Sequence, residues 1–121
     1  MKAIKIPVSN DDKLSLIELE LNELQTYYKE IGCDYVDFRV LWSNDRYSID
    51  AVIDDSGAIN GKLENERFSN SRSSYKLYGN VIITMTDRNS GETVDIDFEL
   101  VRYILINVYG FKESDFYNLI K

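Results

Sequence analysis

The chain has 121 residues, a net charge of −7 and a pI near 4.5, a length that suits one domain able to bury a modest core without metal or disulfide support. Its 44% apolar and 29% charged residues exclude a chain that is disordered overall. It has no histidine and one cysteine, Cys33, which removes imidazole-based nucleophile activation, the usual zinc and non-haem iron sites and any internal disulfide; the balance argues against an enzyme.

From the N-terminus, Lys2 to Val8 alternates with Ile4, Ile6 and Val8 on one side, predicting a strand, and Pro7 within it predicts an edge position. Leu14 to Leu19 is a candidate second strand. Asn22 with Gln25 three residues on forms a capping-box pattern, and Leu24, Tyr27, Tyr28 and Ile31 share one helical face, predicting a helix over 22–31 stopped by Gly32. Tyr35 to Trp42 alternates with Val36, Phe38, Val40 and Trp42 together. Asn44 and Asp45 supply turn chemistry, and Tyr47, Ile49, Ala51 and Ile53 alternate in turn, so a hairpin is predicted.

Ile59 to Phe68 has no clean period, and residues 69–74 read as an exposed loop. Asn80 to Thr86 is β-branched and apolar on both sides, as a central strand requires. Glu92 to Ile96 can pair back as a short strand. Asp97 is placed to cap a helix running to Tyr109, with Phe98, Val101, Ile104, Leu105 and Val108 as its buried stripe and Gly110 as its stop. Ser114 or Asp115 opens a terminal helical turn carrying Phe116, Leu119 and Ile120. These elements predict a single α+β domain over 1–121, with a mostly antiparallel sheet of four to six strands covered by two main helices.

The residues that look chosen for more than folding lie between Asp55 and Ile83. Gly57 and Gly61 permit positive φ or close backbone approach, so Asn60, Asn65 and Arg67 can present amide and guanidinium groups to a phosphate, carboxylate or base. The competing reading makes the glycines turn residues and the asparagines local backbone caps. Residues 62–76, with four bases against two acids, make the one basic island (+2) in an acidic chain; Tyr75 and Tyr78 border its loop and add aromatic contact area of the kind found in binding hot spots. Asp55, Gly57, Asn60, Gly61, Asn65, Arg67, Gly79, Asn80 and the Val81–Ile83 run resemble an uncharacterised family of small domains from phage, plasmid and other bacterial mobile-element proteins. Ser56 departs from the family pattern, which has an acid there, and Glu66 separates Asn65 from Arg67. The resemblance implies a mobile-element context and no assigned activity.

A second candidate is an acidic face made of Glu23, Glu30, Asp34, Asp37, Asp45 and Asp50, which can imitate rows of nucleic-acid phosphates or simply keep the domain soluble. Paired carboxylates at Asp54/Asp55 and Asp95/Asp97 are poor chelators: adjacent strand residues point to opposite faces, and Asp97 is better used as a cap. Cys33 reads as a small packing residue. No apolar run approaches the roughly 20 residues of a membrane span, and the absence of a secretory pattern leads to an expected cytoplasmic location. The acidic balance argues against direct nucleic-acid binding. The expectation is therefore a non-enzymatic accessory protein of a mobile element that binds a protein partner, with host-defence components among the candidate targets, no cofactor, no metal, and homo-oligomerisation left open. The alternative is a small-ligand-binding domain using the Gly57–Arg67 segment.

Overall fold

The computed structural model describes residues 1–20, 23–69 and 76–119. Six strands, β1 (Lys2–Ile6), β2 (Ser15–Glu18), β3 (Val36–Ser43), β4 (Tyr47–Asp54), β5 (Val81–Asp87) and β6 (Thr93–Val94), form one antiparallel sheet. The order is β2-β1-β5-β4-β3, with β6 also pairing β5. Three α-helices join them: α1 (Glu23–Ile31), the short α2 (Glu66–Ser69) and α3 (Phe98–Asn107), followed by a 3-10 helix over Glu113–Leu119.

Both sheet faces are covered, unequally. The larger core packs Ile4, Ile6, Ile49, Ala51, Ile83 and Met85 beneath Phe68 of α2, Val101, Ile104 and Leu105 of α3, and Phe116 of the 3-10 helix. The smaller core sets Ala3, Val52 and Ile82 against Tyr27 and Ile31 of α1. The five residues Val81 to Met85 are all buried, which explains why β5 has no polar/apolar alternation.

The hairpin, the central strand, the short β6 and the Asp97 cap follow the sequence patterns; Asp97 Oδ1 accepts the Leu100 N–H at 3.2 Å. The terminal turn also forms, with Phe116 and Leu119 buried, whereas Ile120 lies outside the described residues. Other features differ. β1 is an interior strand, not an edge, because its ladder ends at Ile6 and Pro7 lies just past it, so the missing proline N–H costs no sheet bond. A bulge between Val40 and Trp42 separates the expected four-residue face: Trp42 joins the larger core with Leu41, while Phe38 and Val40 stay about half exposed on the α1 side.

Helix α1 is rotated from its apolar stripe. Thr26, Tyr27 and Ile31 are buried, Tyr28 is half-buried and Leu24 is exposed; Glu30 pairs with Lys5 (3.0 Å) and Glu23 accepts from the Thr93 hydroxyl (3.0 Å). The cap expected at Asn22 lies outside the described residues. Helix α3 ends at Asn107, with Val108 turned to solvent and Tyr109 buried, its hydroxyl donating to the Leu41 carbonyl at 2.7 Å. Helix α2 has no counterpart among the elements expected from the sequence; four residues are too few to show a period.

Candidate functional site

Strand β4 delivers Asp54 to the end of the sheet nearest the C-terminus of α1, with its side chain almost fully buried. The chain then makes a tight turn over residues 55–61, and the carboxylate collects the donors that turn supplies: the Ser56 N–H at 2.9 Å, the Asn60 amide at 3.4 Å and the Lys62 ammonium at 2.8 Å. Burial pushes the Asp54 carboxyl upward, but the Lys62, Ser56 and Asn60 donors outweigh it and hold the group below the ordinary carboxylate range. Lys62 also donates to the carbonyls of Ile31 (3.2 Å) and Gly32 (2.9 Å). Its three N–H groups are thereby matched by three acceptors, and the last carbonyls of α1 are capped.

Asn65 is fully buried and ties two strand ends together. Its amide donates to the carbonyls of Ile6 (3.1 Å), Pro7 (3.2 Å) and Gly79 (3.0 Å), fixing the exit of β1 against the entry of β5. Its Oδ1 is buried without a partner. Arg67, with its side chain 7% exposed, donates from Nε to Asp115 (3.2 Å) and from its terminal nitrogens to the carbonyls of Ser9 (3.3 Å), Asn10 (3.4 Å) and Asp12 (2.8 Å). It thereby holds the β1–β2 loop to the 3-10 helix. Gly61 has φ +76°, and a Cβ on Gly57 would sit 3.0 Å from the Tyr78 Cβ.

The polar groups of this segment are therefore spent inside the fold. Among the described residues, Gly57, Asn60, Asn65 and Arg67 do not line one common pocket: Asn65 and Arg67 face inward onto backbone carbonyls, and Gly57 lies against Tyr78. Asn60 is exposed but its amide turns back to Asp54. Tyr78 is half-buried and its backbone bridges Glu64, so it is not a free aromatic contact; Tyr75 lies outside the described residues. Arg67 borders grooves of about 230 and 400 Å³ with Asn10 and Asp115, yet each nitrogen of its guanidinium already donates within the fold.

The six acids expected to form one face are dispersed in their roles. Asp34 and Asp45 are exposed. Glu30 is half-buried against Lys5. Asp37 is held by the Arg39 Nε (3.0 Å) and takes the Phe38 N–H (2.9 Å), which blunts the outer edge of β3. Glu23 accepts from the Thr93 hydroxyl and from the Tyr27 hydroxyl (3.4 Å); burial, then the Glu23 charge, raise the Tyr27 pKa. Asp50 is the clear exception to a surface role. It is 7% exposed, with Oδ2 accepting from Thr86 (2.8 Å) and Ser48 (3.2 Å) beneath α1. The alternation of β4 already places Asp50 opposite Ile49 and Ala51; what the sequence does not display is that α1 covers this second face.

Asp54 and Asp55 do point apart, one buried and one exposed. Asp95 accepts the Lys2 N–H at 2.8 Å, separate from the Asp97 cap. Cys33 is half-buried and burial pushes its thiol pKa up. Among the described residues, no group of three or more acid or cysteine side chains is placed to hold a metal, and no helix is long and apolar enough to cross a membrane.

The fold and this segment define a small α+β domain whose Gly/Asn-rich turn is an internal staple between sheet ends, α1 and the terminal helix. The family described as Domain of unknown function (DUF3846) matches residues 1–107, and the chain belongs to it. The match spans every element from β1 through α3, well beyond the Asp55–Ile83 stretch that carries the resemblance in the sequence. No curated protein and no solved structure matches the chain.

Proposed function

We propose that this domain is a non-enzymatic accessory protein of a bacterial mobile element that acts in the cytoplasm by binding a macromolecular partner, a host-defence component being the target class. The observation that carries the reading is the half-exposed apolar pair on β3 beside α1. There Phe38 and Val40 stand about half exposed on a strand that is otherwise anchored, with Phe38 braced edge-to-face against Tyr27 at 5.9 Å between centroids. An exposed apolar and aromatic surface is the kind of anchor on which protein partners concentrate binding energy. Apolar docking is favoured over imitation of nucleic-acid phosphates, because Asp50 is buried and Glu30 and Asp37 are already ion-paired.

Native mass spectrometry of the tagged chain isolated gently from a bacterial lysate tests this. The expected species is the chain with a second polypeptide, lost in a Phe38→Ser/Val40→Ser variant that keeps the parent's circular dichroism. A bare chain, or a small-molecule adduct that persists in that variant, overturns it.

A further inference from the structure

The turn after β4 is built backwards for a loop. Lys62 is drawn inward to Asp54 and the exposed Asn60 turns its amide back to the same carboxylate, while the large apolar side chains point outward: Ile59 is 89% and Leu63 76% exposed. The turn is also braced. Asn60 N–H donates to Ser56 O (2.8 Å) and Lys62 N–H to Gly57 O (2.9 Å) within it. Asp55 N–H reaches Tyr35 O at 3.1 Å on one side, and Gly79 N–H reaches Leu63 O at 2.8 Å on the other. Tyr35, at the mouth of β3, is 74% exposed. A crevice of about 220 Å³ beside Leu63 is walled by Val8, Ile31 and the aliphatic stem of Lys62.

A braced turn has already lost the conformational freedom that a flexible loop would give up on binding, so its exposed side chains are preorganised contacts. The segments that build this surface are net acidic, with exposed Lys76 set two residues from Tyr78, the bridge partner of Glu64. Residues 31–36 and 54–66 contain Asp34, Asp54, Asp55, Glu64 and Glu66 against the single base Lys62, and Lys62 is committed to Asp54. The exposed carboxylates of Asp34 and Asp55, with half-buried Glu64, therefore rim the apolar turn without a compensating cation in these segments. From this combination we infer that the 55–64 turn, with Tyr35, is a docking knuckle for a basic amphipathic polypeptide segment: Ile59 and Leu63 meet its apolar face and Asp34, Asp55 and Glu64 meet its lysines or arginines. The inference rests on the partner-binding reading above and assigns it a second, chemically defined contact.

The test is an NMR titration of the ¹⁵N-labelled full chain with a synthetic helical peptide of alternating Leu and Lys turns, beside a Ser/Lys peptide of equal charge and a Leu/Glu peptide of reversed charge. With the Leu/Lys peptide, saturable shifts are expected at residues 34–35, 55–64 and 79–80. Ile59→Ser/Leu63→Ser should weaken binding at least tenfold, an effect of the size expected when two large apolar side chains leave an interface. Asp34→Asn/Asp55→Asn/Glu64→Gln should weaken it several-fold and flatten its salt dependence. All five positions are exposed or rim residues, so these variants retain the fold. Equal binding of the Leu/Glu or Ser/Lys peptide, shifts spread over the whole acidic surface, or no saturable shift refutes the knuckle. So does a concentration-dependent dimer abolished by Leu63→Ser, which would make a second copy the occupant. Shifts centred on Phe38 and Val40 refute the knuckle while leaving the partner-binding reading intact.

Discussion

Replacing Asn65 with alanine tests whether the Gly57–Arg67 segment is structural. The side chain is fully buried and its amide is the shared donor for the carbonyls of Ile6, Pro7 and Gly79. Two N–H groups are lost. At about 1 kcal/mol net per hydrogen bond they remove about 2 kcal/mol, and stranding buried carbonyls adds about 1–3 kcal/mol. Against this, deleting Oδ1 removes a buried acceptor that has no partner, a relief of about 1–3 kcal/mol by the same reasoning. The last two contributions nearly cancel, so Asn65→Ala should cost about 2–3 kcal/mol. Urea unfolding followed by far-UV circular dichroism should show the midpoint falling by about 1–2 M with an unchanged slope, given slopes of about 1–3 kcal/mol/M for domains of this size. A midpoint shift below about 0.3 M refutes the staple and returns Asn65 to the pool of candidate ligand-binding residues. Asn60→Ala is the internal control. Its residue is exposed and its amide's bond to Asp54 is long, 3.4 Å, so its cost should stay below about 1 kcal/mol.

Because the folded pKa of Asp54 is depressed, its contribution to stability is fully present above the unfolded carboxylate pKa and is lost as pH falls through the lower folded value. The stability difference between the parent and Asp54→Asn should therefore shrink on acidification from about pH 6 towards about pH 3, and a difference independent of pH contradicts the assignment. Lys62→Met keeps the stem over Gly79 but removes the charged one of Asp54's three donors and the donor to the Ile31 and Gly32 carbonyls. It should destabilise by about 2–3 kcal/mol and raise the Asp54 carboxyl titration in ¹³C NMR. Gly57→Ala forces a Cβ to 3.0 Å from Tyr78 and should cost about 1–3 kcal/mol in thermal unfolding; a neutral result means the turn is loose.

Much of the architecture was legible from local pattern. The hairpin alternation, the apolar β5, the Asp97 cap and the helix-ending Gly32 and Gly110 depend on neighbours a few residues away, which the sequence displays directly. The composition of the candidate segment marks it as unusual and leaves two readings open, ligand presentation and local backbone capping. Glycines and asparagines signal a demanding backbone, but whether Asn65 and Arg67 turn inward depends on acceptors at Ile6, Pro7, Ser9 to Asp12, Gly79 and Asp115, mostly 48 to 59 residues away along the chain.

What the sequence by itself determined is therefore the class: a small α+β domain with an antiparallel sheet and two main helices, built from periodicity, caps and turn residues. Only the tertiary structure decided which face each ambiguous element shows. Helix α1 buries Tyr27 and Ile31 of its apolar stripe together with Thr26 and leaves Leu24 outside, and one bulge after Val40 moved Trp42 to the larger core while leaving Phe38 and Val40 on the α1 side. Asp50 went under a helix, and Ile59 and Leu63 were left outside because Asp54 claimed the polar side of their turn. Each choice compares the desolvation of groups distant in sequence, and that comparison exists only once the chain has closed on itself.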